Sequence, residues 1–156
     1  MRVYLGSDHA GFELKAHLAA VLPAQGYDVV DIGPKAYDPA DDYPAHCIAT
    51  GIAVVADPGS LGVVIGGSGN GEQISANKVV GVRAALAWNL ETAALSREHN
   101  DANVVSIGAR EHTIEEATEF VLSFLRTPFS HADRHQRRID QVAAYELTHD
   151  MPTLPG

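Results

Sequence analysis

The chain has 156 residues, 46% of them hydrophobic, with a mean hydropathy of −0.05, and is long enough to bury a real core. Twenty acidic residues against 11 basic ones give a net charge of −9, which argues against nucleic acid as a partner. The chain has no apolar run of about 18 residues, no apolar signal-peptide core and only one cysteine, Cys47, so a cytoplasmic globular protein off the membrane is expected.

Residues 2–6 form a short apolar strand. Residues 11–25 carry Phe12, Leu14, Leu18, Val21 and Leu22 at helical spacing. A second strand over 27–33 ends at Gly33-Pro34. The loop over 33–42 holds Pro34, Pro39, Asp38, Asp41 and Asp42 and is the longest irregular piece, of the kind that borders a site. A helix rich in Ala, Ile and Val spans 44–56, with Pro44 in its first turn. A third strand over 61–66 leads to a short helix at 70–78. A fourth strand covers 82–88, a helix 90–99, and a fifth strand 103–108. The helix over 113–126 opens with a Thr113/Glu116 capping box and is stopped by Pro128. An amphipathic helix over 132–148 precedes a Pro-containing tail at 151–156. Strands and helices alternate throughout. The expectation is one domain over residues 1–150, a three-layer α/β/α sandwich around a doubly wound, five-stranded parallel sheet of Rossmann or flavodoxin-like type.

The chemistry concentrates after the third strand, in VVIGGSGNGEQISANK. Gly66, Gly67, Gly69 and Gly71 let the backbone turn tightly and aim N–H groups at an anion. Glu72 follows where a helix begins and adds a carboxylate at the rim of that cradle. The first strand ends in Ser7-Asp8-His9. If these two strands are neighbours at the point where strand order reverses, Asp8, His9, Ser68 and Glu72 converge. Each also has a plainer reading. Asp8 can cap the first helix, Glu72 can serve the helix dipole, and Ser68 can be a turn residue. The G-x-G-x-x-G spacing is missing after the first strand, which speaks against a nicotinamide cofactor. Asp38, Asp41, Asp42 and His46 read as a solvated loop rather than a metal site. Arg134 and Arg138, four residues apart, share a helix face and suit a phosphate dianion, or else form a solvated basic patch. Arg110 follows the fifth strand at a carboxyl end.

The segments GSDHAG, DYP, GGSGNGEQISANK, SREHNDANVVSIGAR and RHQRRI together resemble the ribose-5-phosphate isomerase B family, which also holds galactose-6-phosphate and allose-6-phosphate isomerases. The likeness runs from Met1 to about Thr148. Many members carry a cysteine base where this chain has Gly66. Glu72 resembles the base of the branch that uses a glutamate, and Cys47 stands elsewhere in the chain. The resemblance implies metal-free and cofactor-free aldose–ketose isomerisation through a cis-enediolate. It implies Glu72 as base, with the amides of Gly67, Ser68, Gly69 and Gly71 on the enediolate. His99 and Ser68 would help open the sugar ring. Asp8 and Tyr43 would hold hydroxyls, and Asn100 would lie near the reacting oxygens. His9, Arg110, Arg134 and Arg138 would take the phosphate. In a parallel sheet, His99 and Asn100 fall at the edge opposite Glu72. A homodimer with shared active sites is therefore expected. A sibling tetrose- or hexose-phosphate isomerase and a non-catalytic sugar-phosphate or nucleotide binder are the alternatives.

Overall fold

The computed structural model describes residues 1–153. Residues 154–156, half of the expected tail, lie outside the described residues. Five strands are present: β1 (Arg2–Ser7), β2 (Asp28–Gly33), β3 (Leu61–Gly66), β4 (Ala84–Leu86) and β5 (Val104–Gly108). The helices are α1 (Phe12–Val21), α2 (Tyr43–Ala56), α3 (Asn70–Ala76), α4 (Leu90–Asn100), α5 (Ile114–Arg126) and α6 (Asp133–Thr148). Most expected elements hold to within a residue or two. The first helix tightens into a 3-10 turn at Leu22–Gln25, where Pro23 interrupts regular bonding, and Gly26 closes it at φ 89°. The fourth strand shrinks to three residues at the sheet edge.

All strand pairs are parallel, in the order β2-β1-β3-β5-β4. Placing β5 between β3 and β4 differs from the flavodoxin order, which keeps the last strands in chain sequence. It leaves the reversal of direction between β1 and β3 untouched. Side chains alternate across the sheet, as a period of two requires. Val3, Leu5, Val63, Ile65, Val105 and Ile107 pack under α1, α4 and α5, with Phe124 and Leu18 fully buried there. Tyr4, Val64 and Val104 face the other way, onto Cys47 and Val54 of α2 and Ala76 of α3. Both faces are covered, which is why these strands read as nearly continuous apolar runs.

The short edge strand is protected by side chains. Asn77 accepts from the Ala84 N–H at 2.8 Å and donates to the Ala84 carbonyl at 2.9 Å, and Gln73 donates to the same carbonyl. These amides occupy positions that a foreign strand would use. Helix α6 is different from the rest. Only His135 in it is buried, while Val142, Tyr145 and Leu147 are exposed. No helix among the described residues is long and apolar enough to cross a membrane.

Candidate active site

Strands β1 and β3 are paired neighbours, so the sequences that follow them meet above the carboxyl edge of the sheet. Asp8 sits at the end of β1, buried, with its N–H donating to the Ile65 carbonyl. Its Oδ1 accepts from the Ala10 and Gly11 N–H groups at 2.9 and 3.1 Å. The helix-capping role foreseen for Asp8 does not form: Gly11 is the N-cap of α1, without a side-chain cap bond, and Asp8 instead closes the turn before the helix, which holds its carboxylate in the site.

The glycine loop is shaped by what presses on it. At Gly69, φ is 80°, a region that disfavours side chains, and an added Cβ would run into Ile107 and Gly108. A Cβ on Gly71 would strike the Tyr43 ring, so Tyr43 lies directly on the loop. The Arg110 guanidinium lies over Gly67, with Nη1 at 3.4 Å from where a Cβ would stand. The loop carbonyls are tied down: Gly66 O and Gly67 O accept from Ala109 and Arg110 N–H, and Gly69 O accepts from Ser106 Oγ at 2.7 Å. The N–H groups of Gly67 and Ser68 have no acceptor among the described residues. These donors are unpaired while the loop acceptors are occupied, which is the polarity an oxyanion requires. Ser68 Oγ accepts from the N–H and side chain of Asn70 at 3.3 and 3.2 Å and keeps its own proton free to donate.

Glu72 rises from the first turn of α3 and is only 3% exposed. A side chain at Gly66 would fall on its Oε1. The carboxylate therefore occupies the space in which residue 66 would place a side chain. Its Oε2 is buried without a hydrogen-bond partner. Burial is the main force pushing the Glu72 carboxyl above the ordinary carboxylate range, and the Asp8 charge adds to it. Backbone N–H groups of Glu72 itself and Gly69 pull the other way without cancelling the rise. Cys47 is fully buried on α2. Burial, with the charges of Glu72 and Asp8, pushes its thiol up, so it stays protonated and inert.

His9 is held by a residue that the sequence reading assigned to a solvated loop. Asp41 Oδ1 accepts from the His9 backbone N–H and from His9 Nδ1, both at 2.8 Å. Asp41 is therefore part of the site wall, a correction to the solvated reading. Sequence offered no signal for this pairing, because the partners are 32 residues apart.

The remaining expected residues form a second group. The His99 and His135 rings meet at a tilt of 41°, with centroids 4.3 Å apart. His135 Nε2 accepts from Arg134 Nε at 3.2 Å, and Nδ1 bonds Ser130 Oγ at 2.8 Å. Burial and the nearby charges of His99, Arg134 and Arg138 keep His135 below the ordinary imidazole range. His135 was not singled out from sequence, since it sits between arginines with nothing to announce its burial. Asn100 and Arg138 line a groove along β4, together with Gln73, Leu86, Ile139 and Val142. This group lies at the end of α4, before β5, and so at the amino edge of the sheet. Among the described residues, no hydrogen bond or ion pair links it to Glu72, Asp8 or the glycine loop.

Comparison with known proteins places this geometry in context. The family model described as Ribose/Galactose Isomerase matches residues 3–142. The ribose-5-phosphate isomerase B of Mycobacterium tuberculosis is 59% identical over all of this chain and 96% of its own length. A crystal structure of ribose-5-phosphate isomerase B from Mycoplasma genitalium with bound ribulose-5-phosphate superposes with a TM-score of 0.90 at 38% identity, covering 94% of this chain and 97% of that one. The Clostridium thermocellum ribose-5-phosphate isomerase B gives a TM-score of 0.91 at 37% identity, covering 96% of this chain and all of its own.

Proposed function

Because the chain belongs to the ribose/galactose isomerase family, we propose that it interconverts ribose 5-phosphate and ribulose 5-phosphate with Glu72 as the base. It is an aldose–ketose isomerase, and its substrate is a sugar phosphate. The observation that carries the assignment of the base is the buried Glu72 carboxylate in the side-chain space of Gly66, beside amides unpaired among the described residues.

Glu72 takes the proton from the carbon next to the carbonyl. Negative charge then grows on oxygen, and the amides of Gly67, Ser68 and Gly71 receive it as a cis-enediolate forms, while the Gly69 N–H is turned to the Glu72 carboxylate. Glu72 returns the proton to the neighbouring carbon. A base whose pKa lies nearer neutrality than an ordinary carboxylate can both take and give back that proton. Asp8 and Tyr43 hold sugar hydroxyls. His9 and Arg110 take the phosphate from the same side of the sheet.

His99, with Ser68, opens the ring, and Asn100, Arg134 and Arg138 complete the binding. Their place at the opposite edge supports a homodimer in which the partner supplies them. The exposed apolar side chains of α6 and the β4 groove support the same assembly. Residues 1–150 act as one domain, in the cytoplasm.

The test is Glu72→Gln, which keeps the shape and removes the base. Turnover of ribose 5-phosphate should fall by about 10²–10⁴-fold. Full retained turnover would overturn the mechanism. Activity on galactose 6-phosphate or allose 6-phosphate alone would reassign the substrate.

A further inference from the structure

We infer that Asp41 is a positioning residue for substrate binding, acting through His9. This rests on the isomerase reading above, in which His9 meets the phosphate. It adds a third carboxylate to the site, beside Glu72 and Asp8, one that acts through the His9 ring and sets which ring nitrogen meets substrate.

The argument starts from one oxygen. Asp41 Oδ1 accepts from both the backbone N–H and the ring Nδ1 of His9, at 2.8 Å each. A carboxylate oxygen can only accept, so the proton in the ring contact belongs to Nδ1. That fixes the tautomer. It leaves Nε2 as the ring nitrogen for substrate, where a phosphate oxygen, itself an acceptor, is held by the Nε2–H of the doubly protonated ring, and no protein partner for Nε2 is present among the described residues. Two bonds to one atom also lock the backbone and the ring of His9 together. The bare histidine would otherwise rotate about its side-chain bonds and split its proton between two nitrogens.

Asp41 is well placed to do this. Its side chain is 13% exposed, and among the described residues no donor reaches its Oδ2 and His9 alone engages this carboxylate. The loop that carries it is anchored along its length. Lys15, itself buried, donates to Asp31 Oδ1 at 2.6 Å and to the Pro34 carbonyl at 2.9 Å. Tyr37 sets its ring edge-on to both His9 and Phe12. The Asp41 N–H donates to the Asp38 carbonyl. Two residues beyond Asp41, Tyr43 lies on Gly71. One corner of the chain thus fixes the His9 ring and touches the glycine loop.

A merely structural staple would make a different prediction from a positioning residue, and two variants separate them. Asp41→Asn keeps an oxygen that can accept, and Asp41→Ala removes it. In Asp41→Ala we expect KM for ribose 5-phosphate to rise about tenfold while kcat stays within twofold. Asp41→Asn should restore much of the loss. Proton–nitrogen NMR of the histidine rings gives an independent readout. In the unmodified protein without ligand, the neutral His9 ring should carry its proton on Nδ1, and inorganic phosphate should bring a second proton onto Nε2. Asp41→Ala should show mixed tautomers with an otherwise native spectrum. An unchanged KM and an unchanged tautomer would overturn the inference. A fall in kcat with KM constant would also overturn it, by moving His9 into the chemical step. If the unmodified protein fails to isomerise ribose 5-phosphate while the tautomer result holds, the functional reading is at fault and the Asp41–His9 arrangement stands.

Discussion

At the scale of single residues, Glu72 shows how one environment serves catalysis at the expense of stability. Burial raises its carboxyl pKa in the folded state. For a raised carboxyl, the folded chain binds the proton more tightly than the unfolded chain. Its contribution is therefore fully present below the unfolded value and is lost as pH rises through the folded one. Above that folded value the ionised Glu72 destabilises the fold, while below it the base is protonated and idle. Glu72→Gln should thus melt higher than the unmodified protein at pH 8, and the difference should shrink as pH falls. The kcat/KM of the unmodified enzyme should drop on the acid side over the same range. Thermal scans and pH–rate profiles of one preparation check both. From its place alone Glu72 suited a helix dipole as well as it suited a base, and the base reading came from the family resemblance. Its shared space with Gly66 was not legible in the sequence, since that depends on a side chain folding back across six residues.

At the scale of elements, local chemistry was the most readable level. The Thr113/Glu116 capping box forms as the spacing requires: Thr113 Oγ1 accepts from the Glu116 N–H at 3.2 Å, and Glu116 accepts from the Thr113 N–H at 2.9 Å. Thr113→Ala should cost about 1 kcal/mol of stability by urea denaturation. A loss below about 0.3 kcal/mol would show that packing of Phe120, Phe124 and Leu125 alone holds α5. The element that sequence placed least well is β4. Its apolar run suggested a full strand, yet only Ala84–Leu86 pair with β5. Hydrophobic patterning reports burial and cannot tell an edge strand from the loop beside it. Strand order was likewise hidden, because β5 inserts through contacts far apart in the chain.

At the scale of the whole molecule, the residues proposed for the site divide between two edges of one sheet. A parallel sheet cannot bring the end of a strand and the start of its neighbour together. That division was legible once the alternation of elements was read, and the observed positions of Glu72 and His99 agree with it. The burial of His135 and its tilted ring contact with His99 were not legible, because they depend on how α6 rests on α4. A shared-site dimer makes a strict prediction. Glu72→Gln and His99→Ala chains, each inactive alone, should regain activity when mixed, since one of two sites in each hybrid recovers both residues. Verified hybrids without activity would refute sharing.

The reacting position is defined by a volume, and either of two points along the backbone can fill it. A side chain at 66 and the Glu72 carboxylate as it now stands cannot share that volume. Giving residue 66 a side chain therefore requires Glu72 to swing away, so the two positions respond to substitution as one.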